Sequence, residues 1–330
     1  MKSSFMDRLE GAYLTILTLI GLSTAIYFIA LLILAPYAFS IAKEWQSGAM
    51  GTTRIPVYFF AISVLIPVRV SAELILLMLI LIYSIILVKT LFDGIEIGYL
   101  VKSAMRGEAR EFFRNSFMST VALTCLTIFL VGLLSTVQES AGIPTGTIKM
   151  ESPAWRYILI FYSALNEEIG FRLTILGFPC FIFYAFSENL NYSSIRALKG
   201  LFYPLELTKE MNEERKKLFL LVSWTLILLT SIAFGILHYL SGAGWEVGKI
   251  SLAAISSVLL GYLYIYHGFP ACALSHWIFN FVTETSIILS SKHEFFLFGN
   301  RFIPAFGYLV ALYFIIKLAK EAYNNRGKAD

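Results

Sequence analysis

Charge is scarce in this chain: only 15% of its residues are charged, against 58% that are hydrophobic, and the mean hydropathy is +0.73. A single soluble globule of 330 residues cannot bury that much apolar surface, so the composition excludes one and points to a membrane. The net charge of +4 is small and scattered and points to no nucleic-acid partner. Cysteine is scarcer still. Cys125, Cys180 and Cys272 all lie in apolar segments and form neither a CxxC pair nor a disulfide framework, which makes them core thiols. There are four histidines and no HExxH, and no repeat or low-complexity tract stands out. At the start an anchor helix is expected, not a cleaved signal. After MKSSFMDRLEG the uncharged run extends from Ala12 to Ala42, beyond the ~7–15 residues of a secretory apolar core, so it reads as an anchor helix.

What is there in abundance is long apolar runs. Further spans are expected at Val70–Val88, Phe117–Val137, Tyr157–Ser187, Leu218–Leu240, Ile250–Tyr266 and Ala271–Ser290, with a shorter one near Phe302–Ile316. Ile55–Val68 is interrupted by Pro56 and Pro67 and is expected to lie in the interface or re-enter. The fold class expected is an all-α, polytopic membrane helix bundle of about eight crossings. It divides into an N-terminal transmembrane region (1–116), a core (117–290), and a C-terminal helix with its tail (291–330). If both termini face the cytoplasm, the inner segments hold 17 Lys and Arg and the outer segments 8, with Arg172 inside the membrane; the positive-inside rule favours this orientation. The main polar insertion, 189–217, reads as a cytoplasmic loop or helix extension. The Asn191–Ser193 sequon within it is of a kind common by chance.

Against this background Glu167, Glu168 and Arg172 stand inside Tyr157–Ser187, where every other residue is uncharged. Each charge near a bilayer centre costs about 2.5–3.5 kcal/mol, so three without partners would cost roughly 8–10 kcal/mol, comparable to the stability of a domain. Glu168 and Arg172 are i,i+4 with the acid first, the favourable order for a pair. Glu167 lies about 100 degrees round the helix, with Gly170 and Phe171 at i+3 and i+4. Lacking a counter-ion, it is poised to exchange a proton near neutrality. The competing reading is one buried ion-pair network that only ties helices together.

Two histidines lie in apolar spans, His238 and His276. One alone is an ordinary interhelical hydrogen bonder; two together with a glutamate suggest chemistry. His276, Asn280 and Glu284 recur every four residues, so they share a helix face while Trp277 and Phe279 look elsewhere, and Glu284 falls near the interface. A histidine and an asparagine on one face can donate to the same oxygen, as an oxyanion hole requires, although helix-to-helix bonding is the bland alternative for Asn280. Ala253, Ser257 and Gly261 form a small-residue stripe for close packing, and Gly170, Gly177 and Pro179 would let the glutamate helix bend around a wet cavity.

Glu167, Glu168 and Arg172 fit EExxxR, Phe234 and His238 fit FxxxH, and His276 and Asn280 fit HxxxN. In this order and in separate apolar helices, the three motifs resemble those of the CPBP intramembrane proteases, which include the type II CAAX prenyl endopeptidases. The resemblance covers about Phe117–Ser290. It implies that Glu167 and His238 activate a water for attack on a peptide carbonyl, that His276 and Asn280 stabilise the oxyanion, and that Glu168, Arg172 and Phe234 support them. Leu173 departs from the glycine of many bacterial members, and the 189–217 loop is long, which leaves the subfamily and substrate open. No cofactor is favoured, although Glu167, His238 and His276 could supply three zinc ligands with an open position. The partners expected are membrane lipid and a membrane-associated peptide or protein substrate, lipidated or not, with the C-terminus of a prenylated CAAX-type protein as one such substrate. Rival readings are a proton-coupled transporter and an inactive relative that binds membrane partners. One difficulty is depth. Glu167 falls near mid-membrane, His276 toward the inner side and His238 near the outer end, so convergence needs tilted spans or submerged ends such as Ser241–Gly244.

Overall fold

In a computed structural model the described residues are 5–44, 53–60, 62–68, 71–106, 111–148, 152–187, 199–241, 243–285, 289 and 294–326. The sequon at Asn191–Ser193, the first part of the 189–217 insertion and most of the end of the Ala271–Ser290 span lie outside them. The chain is an all-α helix bundle and an integral membrane protein, with one two-stranded hairpin added.

The helices start where the sequence supplies caps. Ser71 accepts from Leu74 N–H at the head of α3 (Ala72–Leu91), and Asn115 from Met118 N–H at the head of α5 (Ser116–Ser140). Ser152 accepts from Trp155 N–H before Pro153 opens α6 (Pro153–Glu168). Asn212 caps α8 (Glu213–Leu240), whose first turn carries Glu213 and Glu214. Each cap satisfies an amide that a helix start otherwise leaves bare. The anchor run is bent: α1 (Phe5–Ile33) gives way at Leu34 to α2 (Ala35–Glu44). Pro36 has no N–H to give the preceding turn, and this accounts for the break. A short α4 (Ile97–Met105) precedes α5, which lies at the centre with every residue from Ser116 to Ile128 buried. Around it pack α1, α3, α9 (Gly248–Asn280) and α10 (Glu294–Arg326). Leu77, Leu81 and Ile85 on α3, and Leu221, Leu228 and Ile232 on α8, point outward, as lipid-facing residues do.

Among the described residues, six helices are long and apolar enough to span a bilayer, against the eight crossings expected. The difference lies in two places. Gly268, at φ +86°, interrupts α9 and Pro270 follows it; Lys249 and Glu284, at the two ends of the run, line one cavity, so the chain turns back at Gly268. The charged segment α6 continues without a break through a π-helical stretch, Ile169–Gly177, into α7 (Phe178–Ser187). Dividing the first run and adding the second brings the passes to eight. The last helix, expected to be short, extends over Glu294–Arg326 despite Pro304.

The described residues of the Ile55–Val68 segment are extended, not helical. They form an antiparallel hairpin, β1 (Thr53–Phe59) and β2 (Ile62–Val68), turning at Phe60 with φ 48°. The hairpin is fastened to the charged helix: Tyr58 N–H donates to Asn166 Oδ1 at 3.0 Å and Phe60 N–H to Thr174 Oγ1 at 3.1 Å.

A Cβ placed on Gly268 would collide with the Tyr203 ring and the Phe202 carbonyl. Gly268→Ala is therefore expected to lower stability by about 1–3 kcal/mol. Gly132→Ala, with nothing within 4 Å of the new methyl, should leave the thermal midpoint in detergent at or above that of the parent. Equal midpoints for the two variants would refute the strained turn.

Candidate active site

The helix that carries the charges changes pitch as soon as they end. After Glu168, residues 169–177 are π-helical, an arrangement that widens a helix and is frequent at functional sites. Gly170 permits the close approach of the hairpin, since a Cβ there would lie 2.6 Å from the Cβ of Tyr58. The expected bend thus takes the form of a wider helix against which a hairpin is laid.

Glu168 is fully buried and is the hub. Its Oε2 takes Arg172 Nε at 3.1 Å, the i,i+4 pair expected from the sequence. The same carboxylate also accepts from His276 Nδ1 at 2.6 Å and from the Cys272 thiol. Arg172, buried as well, gives Nη2–H to Ser257 Oγ at 2.9 Å and lies with its guanidinium 5.0 Å from the Phe234 ring centroid. Ser257 therefore does more than pack. Its stripe partners do pack: Ala253 joins Phe171 and Phe234 in a small apolar cluster, and Gly261 faces Ile227.

Glu167 turns the other way, into a cavity of about 470 Å³. Its Oε2 lies 3.7 Å from His276 Nε2 and 4.0 Å from His238 Nε2, and has no hydrogen-bond partner among the described residues. A buried carboxylate oxygen left in this way calls for a guest such as water. Both imidazoles are oriented from behind. His238 donates Nδ1–H to the Phe234 carbonyl at 2.9 Å, and His276 donates Nδ1–H to Glu168, because neither partner has a proton to offer. Phe234 thus supplies both a carbonyl to His238 and a ring to Arg172. The side chains of His238 and Glu167 keep 22% and 16% of their exposure, enough to meet solvent in the cavity.

Asn280 lines the same cavity, with Nδ2 3.4 Å from Ser163 Oγ. Glu284 lines it too and pairs with Arg156 at 2.5 Å. Trp277 looks elsewhere, packed on Tyr83 and Phe161, but Phe279 faces the cavity, contrary to the helical-wheel expectation. The difficulty of depth is resolved by the segment after α8. Ser241, Ala243 and Trp245 themselves line the cavity, so His238, close to its helix end, reaches the level of Glu167. Sequence reasoning missed the bonds of Glu168 to His276 and Cys272, the cavity roles of Tyr58, Ser163 and Lys249, and the Arg156–Glu284 pair. The four-residue recurrence of Cys272, His276, Asn280 and Glu284 was the available signal for part of this set.

The donors do not fit a zinc ion as they are spaced. Ligands bound tetrahedrally at about 2.0–2.1 Å lie about 3.4 Å from one another. The gaps of 3.7 and 4.0 Å around Glu167 are wider, and among the described residues no group of three or more His, Cys, Asp or Glu has metal-holding geometry.

Residues 150–282 match the family model described as "Type II CAAX prenyl endopeptidase Rce1-like", and this stretch contains all three motifs. No curated protein and no solved structure matches the chain.

Arg172→Met would leave a buried carboxylate short of its cation, at an expected loss of about 3–5 kcal/mol. Lys43→Gln, which breaks a pair more than half exposed on both sides, should change stability by less than about 1 kcal/mol. Thermal unfolding in detergent separates the two, and indistinguishable midpoints would contradict the role given to the Glu168 hub.

Proposed function

We propose that this chain, a member of the type II CAAX prenyl endopeptidase Rce1-like family, is an intramembrane endopeptidase that cleaves a peptide bond near the membrane surface with a water activated by Glu167. The observation that carries this reading is the unpartnered Oε2 of Glu167 between two imidazole nitrogens in a cavity. A water seated there donates one hydrogen to the carboxylate and the other to Nε2 of His238, whose Nδ1–H is already given to Phe234. Its lone pairs are then free to face a carbonyl carbon.

As the water oxygen bonds to that carbon, Glu167 takes the proton, and negative charge moves to the carbonyl oxygen. Asn280 Nδ2–H is the donor suited to that oxygen, and the ring of His276 stands beside it. Glu168 holds His276 by its Nδ1–H and so fixes the orientation of the ring. Collapse of the intermediate breaks the C–N bond, and the proton on Glu167 passes to the leaving amine. Every proton is accounted for by Glu167 and the water, and no step is routed through a metal.

The reading is consistent with a membrane-bound substrate, lipid-anchored or helical, since the cavity lies among apolar helices. Prenylated CAAX peptides are the reference substrates that the family name supplies. Purified protein in detergent should cleave one or more of these, or a member of a panel of membrane peptides. Glu167→Gln is expected to lose about 10²–10⁴-fold in turnover, and Asn280→Ala about 10²–10³-fold. A chelator should leave the rate unchanged. Equal cleavage by parent and Glu167→Gln removes the glutamate from the mechanism, and loss of activity in chelator overturns the metal-free route.

A further inference from the structure

Apart from the two histidines, four charged side chains line the cavity: Arg156, Glu167, Lys249 and Glu284. Three of them are accounted for. Glu167 faces the imidazoles, and Arg156 gives Nη2–H to Glu284. Lys249 is left over. Its ammonium lies 3.7 Å from the centroid of the Trp245 ring and makes no ion pair and no hydrogen bond with a described residue.

An ammonium is strongly hydrated and has three hydrogens to give, and an aromatic face meets only part of that demand. Its place in the fold sharpens the demand. Lys249 stands in the first turn of α9, where the helix dipole disfavours a cation and favours an anion. The described carboxylates whose charge it feels are Glu284, already held by Arg156, and Glu167, which the proposed reaction needs free. The cavity wall thus carries a positive donor that the protein itself leaves unused.

We infer that Lys249 is a specificity-determining residue whose ammonium takes a carboxylate of the polypeptide bound in the cavity. A carboxylate is the anionic group that an unmodified polypeptide carries at neutral pH, at its free C-terminus or on an Asp or Glu side chain. Bonds of this charge-assisted kind are the strong ones, and a cavity walled by apolar helices weakens them less than water does. A carboxylate held at Lys249 fixes the register of the chain against Glu167 and takes no part in the proton transfers. That the bound polypeptide is a substrate rests on the protease reading above; that it is held by a carboxylate does not.

Binding to purified protein in nonionic detergent tests this, measured by fluorescence anisotropy in the Glu167→Gln background so that no probe is consumed. Three labelled probes share one apolar membrane sequence: the free C-terminal acid, the C-terminal amide, and the amide with one internal aspartate. At least one of the two carboxylate probes is expected to bind roughly 10–100-fold more tightly than the plain amide. Lys249→Met should bring that probe to the affinity of the amide, whereas Lys249→Arg, which keeps the positive charge, should retain a preference. A tighter terminal acid identifies a chain end as the anchored group, and a tighter aspartate probe identifies a side chain. Equal binding of all three probes, binding of none, or a preference that survives Lys249→Met overturns the inference. A carboxylate preference with no cleavage by the parent protein sinks the protease reading and leaves the anchor standing; cleavage without the preference does the reverse.

Discussion

A single buried carboxylate, that of Glu168, holds the rest of this arrangement in place. Burying a charge in apolar surroundings is prohibitive unless it is both neutralised and fully hydrogen-bonded. Glu168 meets that condition with Arg172 from its own helix and with Cys272 and His276 from α9. Arg172 extends the network to Ser257 on the first half of α9 and to the ring of Phe234 on α8. The hub therefore binds both halves of the reversing run and orients one of the two imidazoles that face Glu167. Adjacent glutamates on one helix thus divide the work: one is satisfied and structural, the other is left open to a cavity.

The motif residues were legible because their chemistry is local. The i,i+4 spacing of Glu168 and Arg172 gave their pair, and charge placed in an otherwise uncharged segment marked Glu167. The helical runs were legible because apolar length leaves few alternatives in a bilayer. What stayed hidden depends on contacts between distant segments. His276 lies 108 positions from Glu168, and no spacing rule links them. The hairpin was obscured by Pro56 and Pro67, which argue against strands and are tolerated in an isolated two-stranded ribbon whose other edges need no ladder. The apparent mismatch in depth arose from treating α8 as ending at the membrane surface, whereas the segment after it lines the cavity.

The hairpin also joins the site to a part of the chain that carries no motif. Its amides at Tyr58 and Phe60 bond Asn166 and Thr174 on either side of the glutamate pair, and Gly170 leaves room for its backbone. The region before α5 is therefore coupled to the wall of the cavity as well as to the bundle.

Glu167 meets its two histidines only across long stretches of chain, at positions 238 and 276. During synthesis the acid enters the bilayer well ahead of either imidazole, and the final partner arrives only when the run beyond Gly268 has folded back. A prematurely terminated product consequently carries the acid without its companions. The three side chains thus come together only after most of this sequence has been inserted, which follows from the order of the helices along the chain.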